Sequence, residues 1–239
     1  NTIVSIAGIT LGVAALIGTV GIMTGFKEDI QAKILGTTAH ILVNDRMKES
    51  MVDYEDQVKK VAGVPDVVAA TPFIFRQVLL TCSSGVQGII LRGIDPAREG
   101  TVTELARNLL GGNLDDLSRP IKVTIPEKER EPNGPDSAMR PGIILGKELS
   151  MRLGVFTGDT LNVVSPVGPV TGASMTPKIR QFVVVGLFQS GMYEYDSSLA
   201  YIELGEAQKF FNMGASVTGI EVKVTDVLRA AHIARTIEQ

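Results

Sequence analysis

An apolar stretch opens the chain, since no Asp, Glu, Lys or Arg occurs in the first 26 residues. A helix needs about 20 apolar residues to cross the hydrocarbon core of a bilayer, and Ile3–Met23 meets that length. The stretch predicts a membrane-spanning helix that continues past Phe26 as a stalk and ends at Gly36. Small residues recur in it at a four-residue spacing that lets membrane helices approach closely. They are Gly8 and Gly12, and Gly21 and Gly25.

Two other structures would also produce a long apolar stretch. One is a helix buried in a soluble core, but core helices seldom lack charged residues over such a length. The other is a secretory signal, but no A-x-A cleavage pattern precedes Lys27, and the stretch is longer than the usual signal core. The membrane-spanning helix is therefore the preferred interpretation.

Beyond Gly36 the apolar positions follow the short periods of alternating strands and helices. A strand over residues 40–43 precedes a helix that is capped by Asp53 and ended by Gly63 and Pro65. Three further strands are predicted from runs of apolar and β-branched residues. They are Val67–Phe75, Gln77–Cys82 and Val86–Ile94.

The same order of elements returns near the C-terminus. A strand over residues 199–204 precedes a helix over Glu206–Phe211, and Asp226 caps a final helix. In the strand between them, apolar residues alternate with Glu221 and Lys223, which predicts one buried and one solvent-exposed face. The middle section, about residues 95–189, has strands separated by Pro and Gly. The pattern predicts a discontinuous α/β domain, interrupted by a β-rich insertion, in which residues 40–94 pack against residues 198–239.

A proline-rich segment, Ser165–Phe182, joins two apolar runs of the insertion. Two strands commonly need a turn of about two to five residues to reverse direction, so the segment is too long for a simple connection. Its three prolines lower the entropy lost on binding, and its apolar side chains offer contact surface. We predict a protruding arm that captures a partner, with Lys178 and Arg180 as hydrogen-bond donors at its base. A floppy surface loop is the alternative.

Candidate chemistry is sparse in this sequence. The net charge of −3 is too small to predict a nucleic-acid partner. His40 and His232 lie far apart along the chain, and Cys82 has no nearby basic residue to activate it. The sequence has no G-x-x-x-x-G-K-[ST] phosphate loop, no G-x-S-x-G motif and no H-E-x-x-H motif. The prediction is a protein with no enzyme activity, no cofactor and no metal site.

Two passages resemble the permease subunits of lipoprotein-releasing ABC transporters of the LolC/LolE type. Gly8–Val43 is similar to the first membrane helix and stalk of that family. It has M-T-G-F at Met23–Phe26 where the family typically has M-N-G-F, and I-L-G-T-T-A-H at Ile34–His40 where the family has I-L-G-x-x-P-H. Pro141–Pro166 is similar to the family's strand–helix–G-D–strand passage. The resemblance covers the whole chain and leaves the subunit type, LolC-like or LolE-like, open.

The resemblance implies an α+β fold. A transmembrane and stalk helix takes residues 1–36, a porter-type subdomain is divided between 37–94 and 198–239, and an inserted β-rich sabre-type subdomain takes 95–197. The expected location is the bacterial inner membrane, with the bulk of the chain in the periplasm. The chain would be a non-catalytic transport subunit, because a separate ABC ATPase subunit hydrolyses ATP in that family. A second permease subunit, the same or homologous, would be a further partner.

The resemblance also implies a partner for the arm. In that family a protruding hook loop of the sabre-type subdomain catches a periplasmic chaperone of the LolA type, which receives acylated lipoproteins. Ser165–Phe182 occupies the place of the hook, and residues 177–182 match the family's P-x-x-R-x-F. We expect chaperone contacts from ten residues of this segment. They are Pro166, Val167, Gly168, Pro169, Met175, Pro177, Lys178, Ile179, Arg180 and Phe182.

A second set of contacts is expected at the outer end of the first helix. Ile22, Met23 and Phe26 are apolar side chains at the level where a lipid would leave the membrane. We expect them to touch the acyl chains of the lipoprotein and membrane lipid. Contact with a neighbouring helix is the alternative.

Two other functions stay open. A MacB-type efflux permease or an FtsX-like signalling permease would share the fold, and the hook-like segment argues against both. A membrane-anchored periplasmic sensor or binding module would need a ligand cleft with convergent polar side chains, which the sequence does not reveal. The leading hypothesis is therefore a permease subunit that extracts lipoproteins.

Overall fold

The computed structural model describes residues 2–45, 50–125, 135–166, 170–171, 174–175 and 177–238. The chain divides into two compact units, Asn1–Thr38 and Ala39–Gln239. The first unit is one helix, and the second is a mixed α/β domain. An apolar helix followed by a mixed α/β domain is the fold class expected from the sequence.

The helix α1 (Thr2–Thr37) is 36 residues long, which corresponds to about 54 Å. Its apolar part, Thr2–Gln31, has the length and composition of a membrane span, with a mean hydropathy of 2.2 and none of its window buried. The hydroxyl groups of Thr10 and Thr19 donate to backbone carbonyls four residues earlier, at 2.8 and 2.9 Å. These polar groups are therefore satisfied within the helix, as a hydrocarbon environment requires. The predicted helix is confirmed, and it ends one residue beyond Gly36.

The second unit contains strands and short helices in alternation. The strands are β1 (Ile41–Val43), β2 (Val67–Cys82), β3 (Gly85–Ile94), β4 (Leu109–Gly111), β5 (Ile121–Thr124), β6 (Ser137–Arg140), β7 (Gly142–Gly146), β8 (Thr160–Ser165), β9 (Val170–Thr171), β10 (Ser174–Met175), β11 (Lys178–Phe188), β12 (Leu199–Glu203) and β13 (Gly219–Val224). The helices are α2 (Tyr54–Ala62), α3 (Pro96–Val102), α4 (Lys147–Leu153), α5 (Tyr193–Ser198), α6 (Leu204–Phe211) and α7 (Ala230–Ile237). Short 3₁₀ turns lie at Leu114–Ser118 and Val227–Arg229.

Among the described residues, nine strands form one sheet in the order β1-β13-β2-β3-β12-β7-β11-β4, with β8 paired to both β11 and β2. The double pairing of β8 closes the strands β2, β3, β12, β7, β11 and β8 into a ring. It is possible because β2 pairs with β13 over its first half and with β8 near its end. The ring is thus a small barrel. The other three strands of the sheet, β1, β13 and β4, extend from it through pairing with β2 and β11.

Side chains from every strand of the ring meet in one hydrophobic core. Each of the six strands contributes a side chain with no exposed surface to the same cluster. They are Leu80, Leu91, Ala200, Leu145, Phe182 and Val163. A barrel of this size is filled by its own side chains, so it has a packed interior rather than a channel. A second apolar cluster packs α2 and α7 against β1, β2 and β13.

The strands of residues 40–94 and 198–239 pair with each other. β13 lies between β1 and β2, and β12 is parallel to β3. Strands of the middle section join the same sheet, since β12 also pairs with β7 and β2 also pairs with β8. Hydrogen-bonded strands therefore join the middle section to the divided part of the domain, residues 40–94 and 198–239. The subdomain boundaries at residues 94 and 197 stay a prediction.

Several local predictions need correction. The two strands predicted over residues 67–82 are one strand, because Arg76 continues the pairing with β3 without a break. Asp53 precedes α2, but it has a left-handed backbone with φ of 53° and its side chain makes no cap hydrogen bond. Glu221 was expected on a solvent-exposed face, yet it is buried. The face of β13 that carries Glu221 is covered, so alternation along this strand does not separate core from solvent.

The core position of Phe182 gives a stability prediction for residues 39–239. Replacing Phe182 with Ala should lower the free energy of unfolding by about 3–5 kcal/mol, because a fully buried ring would leave a cavity. Ile179 lies on the same strand and is 63% exposed, so Ile179→Ala should change it by no more than about 0.5 kcal/mol. Chemical denaturation of both variants measures the difference. Equal losses would contradict the assignment of Phe182 to the core.

Candidate functional site

The proline-rich segment extends from the end of two ring strands. β8 and β11 pair without a shift from Thr160↔Val183 to Ser165↔Lys178. Pro166 and Pro177 flank the last pair, and the ladder stops there because proline has no N–H to donate. We define residues 166–177 as the arm. Within the arm, β9 and β10 pair antiparallel as a short hairpin of their own.

The structure locates the expected chaperone-binding residues in three groups. Pro166 and Pro177 are exposed at the root of the arm, and Met175 lies in β10. Lys178, Ile179, Arg180 and Phe182 lie on β11. Three others fall outside the described residues: Val167, Gly168 and Pro169.

Successive residues of β11 point to opposite sides of the strand. Ile179 faces solvent, whereas Phe182 has no exposed surface. Phe182 packs edge-to-face against Phe210 of α6, with ring centroids 6.3 Å apart. Phe182 therefore fixes the strand to the core and has no surface to offer a partner, unlike Ile179.

The two cations at the root of the arm contact α6. The Lys178 ammonium donates to the backbone carbonyl of Lys209 at 2.9 Å and to the side-chain oxygen of Asn212 at 2.8 Å. These acceptors lie at the C-terminal end of α6, where the helix dipole favours a positive charge. The guanidinium of Arg180 pairs with the carboxylate of Glu206 at 2.5 Å. Both cations were expected to be available to a partner, and both are engaged within the chain.

The sequence of α6 explains why it presents these acceptors. Glu203 precedes the helix, and its carboxylate accepts the backbone N–H of Glu206 at 2.7 Å. Glu206 is thereby held in the first turn, where a negative charge is favourable. Asn212 ends the helix in a left-handed conformation with φ of 55°, which asparagine tolerates better than most residues. Sequence reasoning missed this helix as part of the site, because no local pattern links it to β11.

Two clefts border the root of the arm. One, of about 510 Å³, includes Arg140, Arg180, Glu203, Glu206 and Lys209 in its lining. The other, of similar volume, lies against β2 and β3 and is lined mainly by apolar groups. Its walls include Leu79, Ile89, Ile90 and Pro166. The root therefore combines a charged surface, an apolar surface and an exposed isoleucine, which suits binding of a protein segment better than catalysis.

The expected lipid contacts lie in the first unit. Ile22 and Phe26 are four residues apart on α1 and so share a face, with Met23 beside them. All three side chains are at least 66% exposed. They form an apolar surface at the end of the membrane-spanning stretch, separate in the chain from the arm.

The structure contains one cluster of converging polar side chains that was not predicted from the sequence. Arg92 on β3 pairs with Glu221 on β13 at 2.5 Å, and its guanidinium carbon lies 5.7 Å from the ring centroids of Phe73 and Tyr201. Glu99 on α3 completes the cluster and accepts a hydrogen bond of 3.0 Å from Thr103. The sequence did contain one sign of this cluster, because Arg92 is a single charged residue within an apolar run.

The cluster is closed to solvent. Arg92, Glu99 and Glu221 are each less than 9% exposed. Burial raises the pKa of Glu99 to about 7, although Arg92 opposes the shift. Burial lowers the pKa of Arg92, whereas the Glu221 carboxylate raises it. The net change in this pKa is an increase, so the Arg92 guanidinium stays charged. This is a structural ion cluster rather than a ligand site. No group of three or more His, Cys, Asp or Glu side chains in the described ranges could hold a metal ion.

Comparison with known proteins places this arrangement in a family. Residues 2–239 match the family described as MacB-like periplasmic core domain. The chain belongs to that family. Its apolar first helix and the family description support a membrane protein with a periplasmic domain.

Similarity to individual proteins narrows the assignment. The lipoprotein-releasing system transmembrane protein LolC of Neisseria meningitidis serogroup B is 31% identical over 239 residues, covering 99% of this chain and 52% of that protein. LolC of Xylella fastidiosa (strain 9a5c) is 34% identical, covering 98% and 51%. LolE of Haemophilus influenzae is 26% identical, covering 96% and 51%. The resemblance to LolC/LolE-type permeases is confirmed, and the chain spans about half the length of these curated relatives.

The raised pKa of Glu99 gives a pH prediction for residues 39–239. The unfolded carboxyl titrates near 4.5 and the folded one near 7, so the folded state keeps its proton while the unfolded state loses it. Stability from this group is complete below about pH 4.5 and is lost as pH rises to about 7, by about 2–3 kcal/mol. Glu99→Gln should remove that part of the pH dependence, measured by chemical denaturation at pH 4.5 and 7.5. The same pH slope in both proteins would contradict it.

Proposed function

We propose that this chain is the periplasmic part of a permease subunit in an ATP-driven transporter that extracts lipoproteins from the inner membrane. In this proposal the arm passes them to a soluble periplasmic chaperone of the LolA type. The observation that carries the proposal is a proline-flanked arm that extends from two paired strands of a closed ring. The relatives in N. meningitidis and X. fastidiosa are named as transmembrane proteins of lipoprotein-releasing systems, which supports the same function here.

The surface around the arm suits a transient protein partner. Ile179 is exposed at the root, and an apolar cleft lies beside Pro166. Apolar surface presented by a stiff segment allows binding with a small loss of conformational entropy. A docking chaperone would add contacts to this surface without rearranging the core.

The chain would take no part in ATP hydrolysis itself. Its sequence has no phosphate loop, so nucleotide chemistry belongs to a separate ABC ATPase subunit in this proposal. A second permease subunit, the same or homologous, would complete the membrane part. The exposed apolar residues on α1 would touch acyl chains as a lipoprotein leaves the membrane.

A sensor or binding module is less well supported. Such a module needs an accessible cleft with convergent polar groups. The polar cluster around Arg92 converges, but it is buried between the sheet and α3. The charged cleft at the root of the arm is accessible, but three of its charged side chains, Arg180, Glu206 and Lys209, already pair with one another. The MacB-like family description agrees with either a lipoprotein-releasing or another permease. The arm and the LolC and LolE relatives favour the former.

Shortening the arm tests the chaperone part of the proposal. Replacing residues 166–177 by Asn-Gly, which forms a tight hairpin turn, should join Ser165 to Lys178 and abolish binding of a purified LolA-type chaperone. The melting temperature should stay unchanged, because the ring and its core are intact. Calorimetry measures both quantities on the detergent-solubilised chain.

Two point variants give a matched control for the shortened arm. Ile179→Ala should weaken chaperone binding, whereas Val68→Ala, at a position of similar exposure on β2, should not. Unchanged affinity in the shortened protein would show that the arm is not the docking element.

Photo-crosslinking tests the lipid contacts of α1. Photoreactive residues at Ile22, Met23 and Phe26 should capture acylated lipoprotein in membranes that also contain the ATPase and the second permease. These side chains are apolar and exposed near the end of the membrane-spanning stretch. The same probe at Ile3, at the opposite end of α1, is the control. Capture of partner helices alone would remove the proposed lipid contact.

A further inference from the structure

The helix α3 is held on the sheet by few buried side chains. It packs against β2, β13 and the 3₁₀ turn at Leu114–Ser118. Of its seven residues, all of which the structure describes, Glu99 and Val102 are the buried ones. A helix this short is not stable alone in water, so contacts with the sheet must hold it in place. One of its two buried side chains is ionisable, so the attachment of α3 depends on the charge of that group.

Glu99 lies in a closed space that holds one cation and two acidic groups. Arg92 and Glu221 pair there at 2.5 Å and balance each other's charge. Tyr201 beside them is neutral, because burial raises the pKa of its hydroxyl. An ionised Glu99 would add an unbalanced negative charge to a space closed to solvent, which is strongly unfavourable. The charge count therefore favours a proton on Glu99.

The hydrogen bonds of the cluster favour the same state. Glu99 accepts from the Thr103 hydroxyl through Oε1. Among the described residues, Oε2 of Glu99 and Oε2 of Glu221 are buried and have no hydrogen-bond partner. Two ionised carboxylates offer only acceptors, whereas a protonated carboxyl brings one donor into the cluster. The pKa of about 7 that burial gives Glu99 agrees with this arrangement.

The other charged groups around α3 are partly exposed. Arg98 pairs with Asp95 of the same helix end and with Glu55 of α2, each at 3.1 Å. Asp95 adds a negative charge that further disfavours ionisation of the buried carboxyl. The two acids of the adjacent 3₁₀ turn, Asp115 and Asp116, are accessible to solvent. The charge balance inside the closed space is thus set by the cluster itself.

We propose that Glu99 is a pH-sensitive switch for α3: the helix packs on the sheet while this carboxyl is protonated, and it lifts from the sheet when the carboxyl ionises. Lifting gives the carboxylate access to water, whereas the pair of Arg92 and Glu221 stays on the strands. The packed form holds a proton that the lifted form releases, so rising pH favours lifting. This inference concerns α3 alone and does not depend on the proposed transport function.

Infrared spectroscopy locates the proton. For the full chain in detergent, the difference spectrum between pH 6 and pH 8 should show the loss of one protonated carboxyl band. Exposed carboxyl groups titrate at about pH 4, so they are ionised at both pH values. The change should be absent from Glu99→Gln. It should remain in the control Glu104→Gln, which alters a more exposed carboxyl that pairs with Arg107.

Hydrogen exchange measures the lifting of α3. Its amide protons exchange when its hydrogen bonds open, including the bond from the Thr103 N–H to the Glu99 carbonyl. With labelling times scaled to the intrinsic exchange rate at each pH, the open fraction of α3 should rise about tenfold from pH 6 to pH 8. A peptide over α6 should show no such rise, because α6 packs in the core of the ring.

Two substitutions remove the charge imbalance in different ways. Glu99→Gln cannot ionise, so α3 should stay packed at both pH values. Glu221→Gln leaves Arg92 to pair with Glu99, so an ionised Glu99 is balanced and the rise between pH 6 and pH 8 should also disappear. Because this variant retains Glu99, it distinguishes charge balance from burial of the carboxyl alone. Glu104→Gln should keep the tenfold rise.

The outcomes decide between a local switch and a general loss of stability. Loss of the carboxyl band together with opening of α3 alone, both abolished in Glu99→Gln, supports the inference. If no band is lost between the two pH values, Glu99 is already ionised and the inference is overturned. It also fails if α3 exchanges equally at both pH values, or if α6 opens to the same extent. Protection of α6 at pH 6 shows that each variant is folded.

Discussion

The pairing of β8 with two neighbours is the contact on which the rest of the domain depends. β8 accepts β11 on one side and β2 on the other, and this closes the six strands of the ring. Without it, β2 and β11 would both present open edges, which proteins usually cover. Closure brings Leu80 opposite Val163 and lets Phe182 join the same core. The strands of the ring consequently hold fixed positions, because a packed interior deforms little.

The closed ring also holds the two strands that carry the arm. The arm begins and ends on β8 and β11, and α6 fastens one of these strands through Lys178, Arg180 and Phe182. α6 lies between β12 and β13 in the chain, far from the segment that it holds. Parts of the sequence that look like separate units by composition therefore cooperate in holding β11, one of the two strands that carry the arm.

Much of the architecture could be predicted from the sequence, and the exceptions have physical causes. Hydropathy predicts α1 because a membrane span is a local property of composition. Alternation in β13 correctly separates two faces, but it cannot show that α3 covers the face with Glu221. The period of two puts Lys178, Arg180 and Phe182 on one side of β11, yet their partners on α6 lie at least 26 positions later. Long-range pairing, like that of β8, leaves no local trace in the pattern.

The geometry of the arm also decides where a mechanical load would go. β8 and β11 run in opposite chain directions, so a pull on the tip draws both strands the same way in space. The ladder between them is not sheared by that pull. The load passes to the outer ladders instead, from β8 to β2 over Leu79↔Val164 to Thr81↔Asn162, and from β11 to β7 over Val183↔Gly142 to Phe188↔Gly146. Those hydrogen bonds lie across the direction of the force and share it, so tension at the tip is delivered into the ring instead of being absorbed at the root.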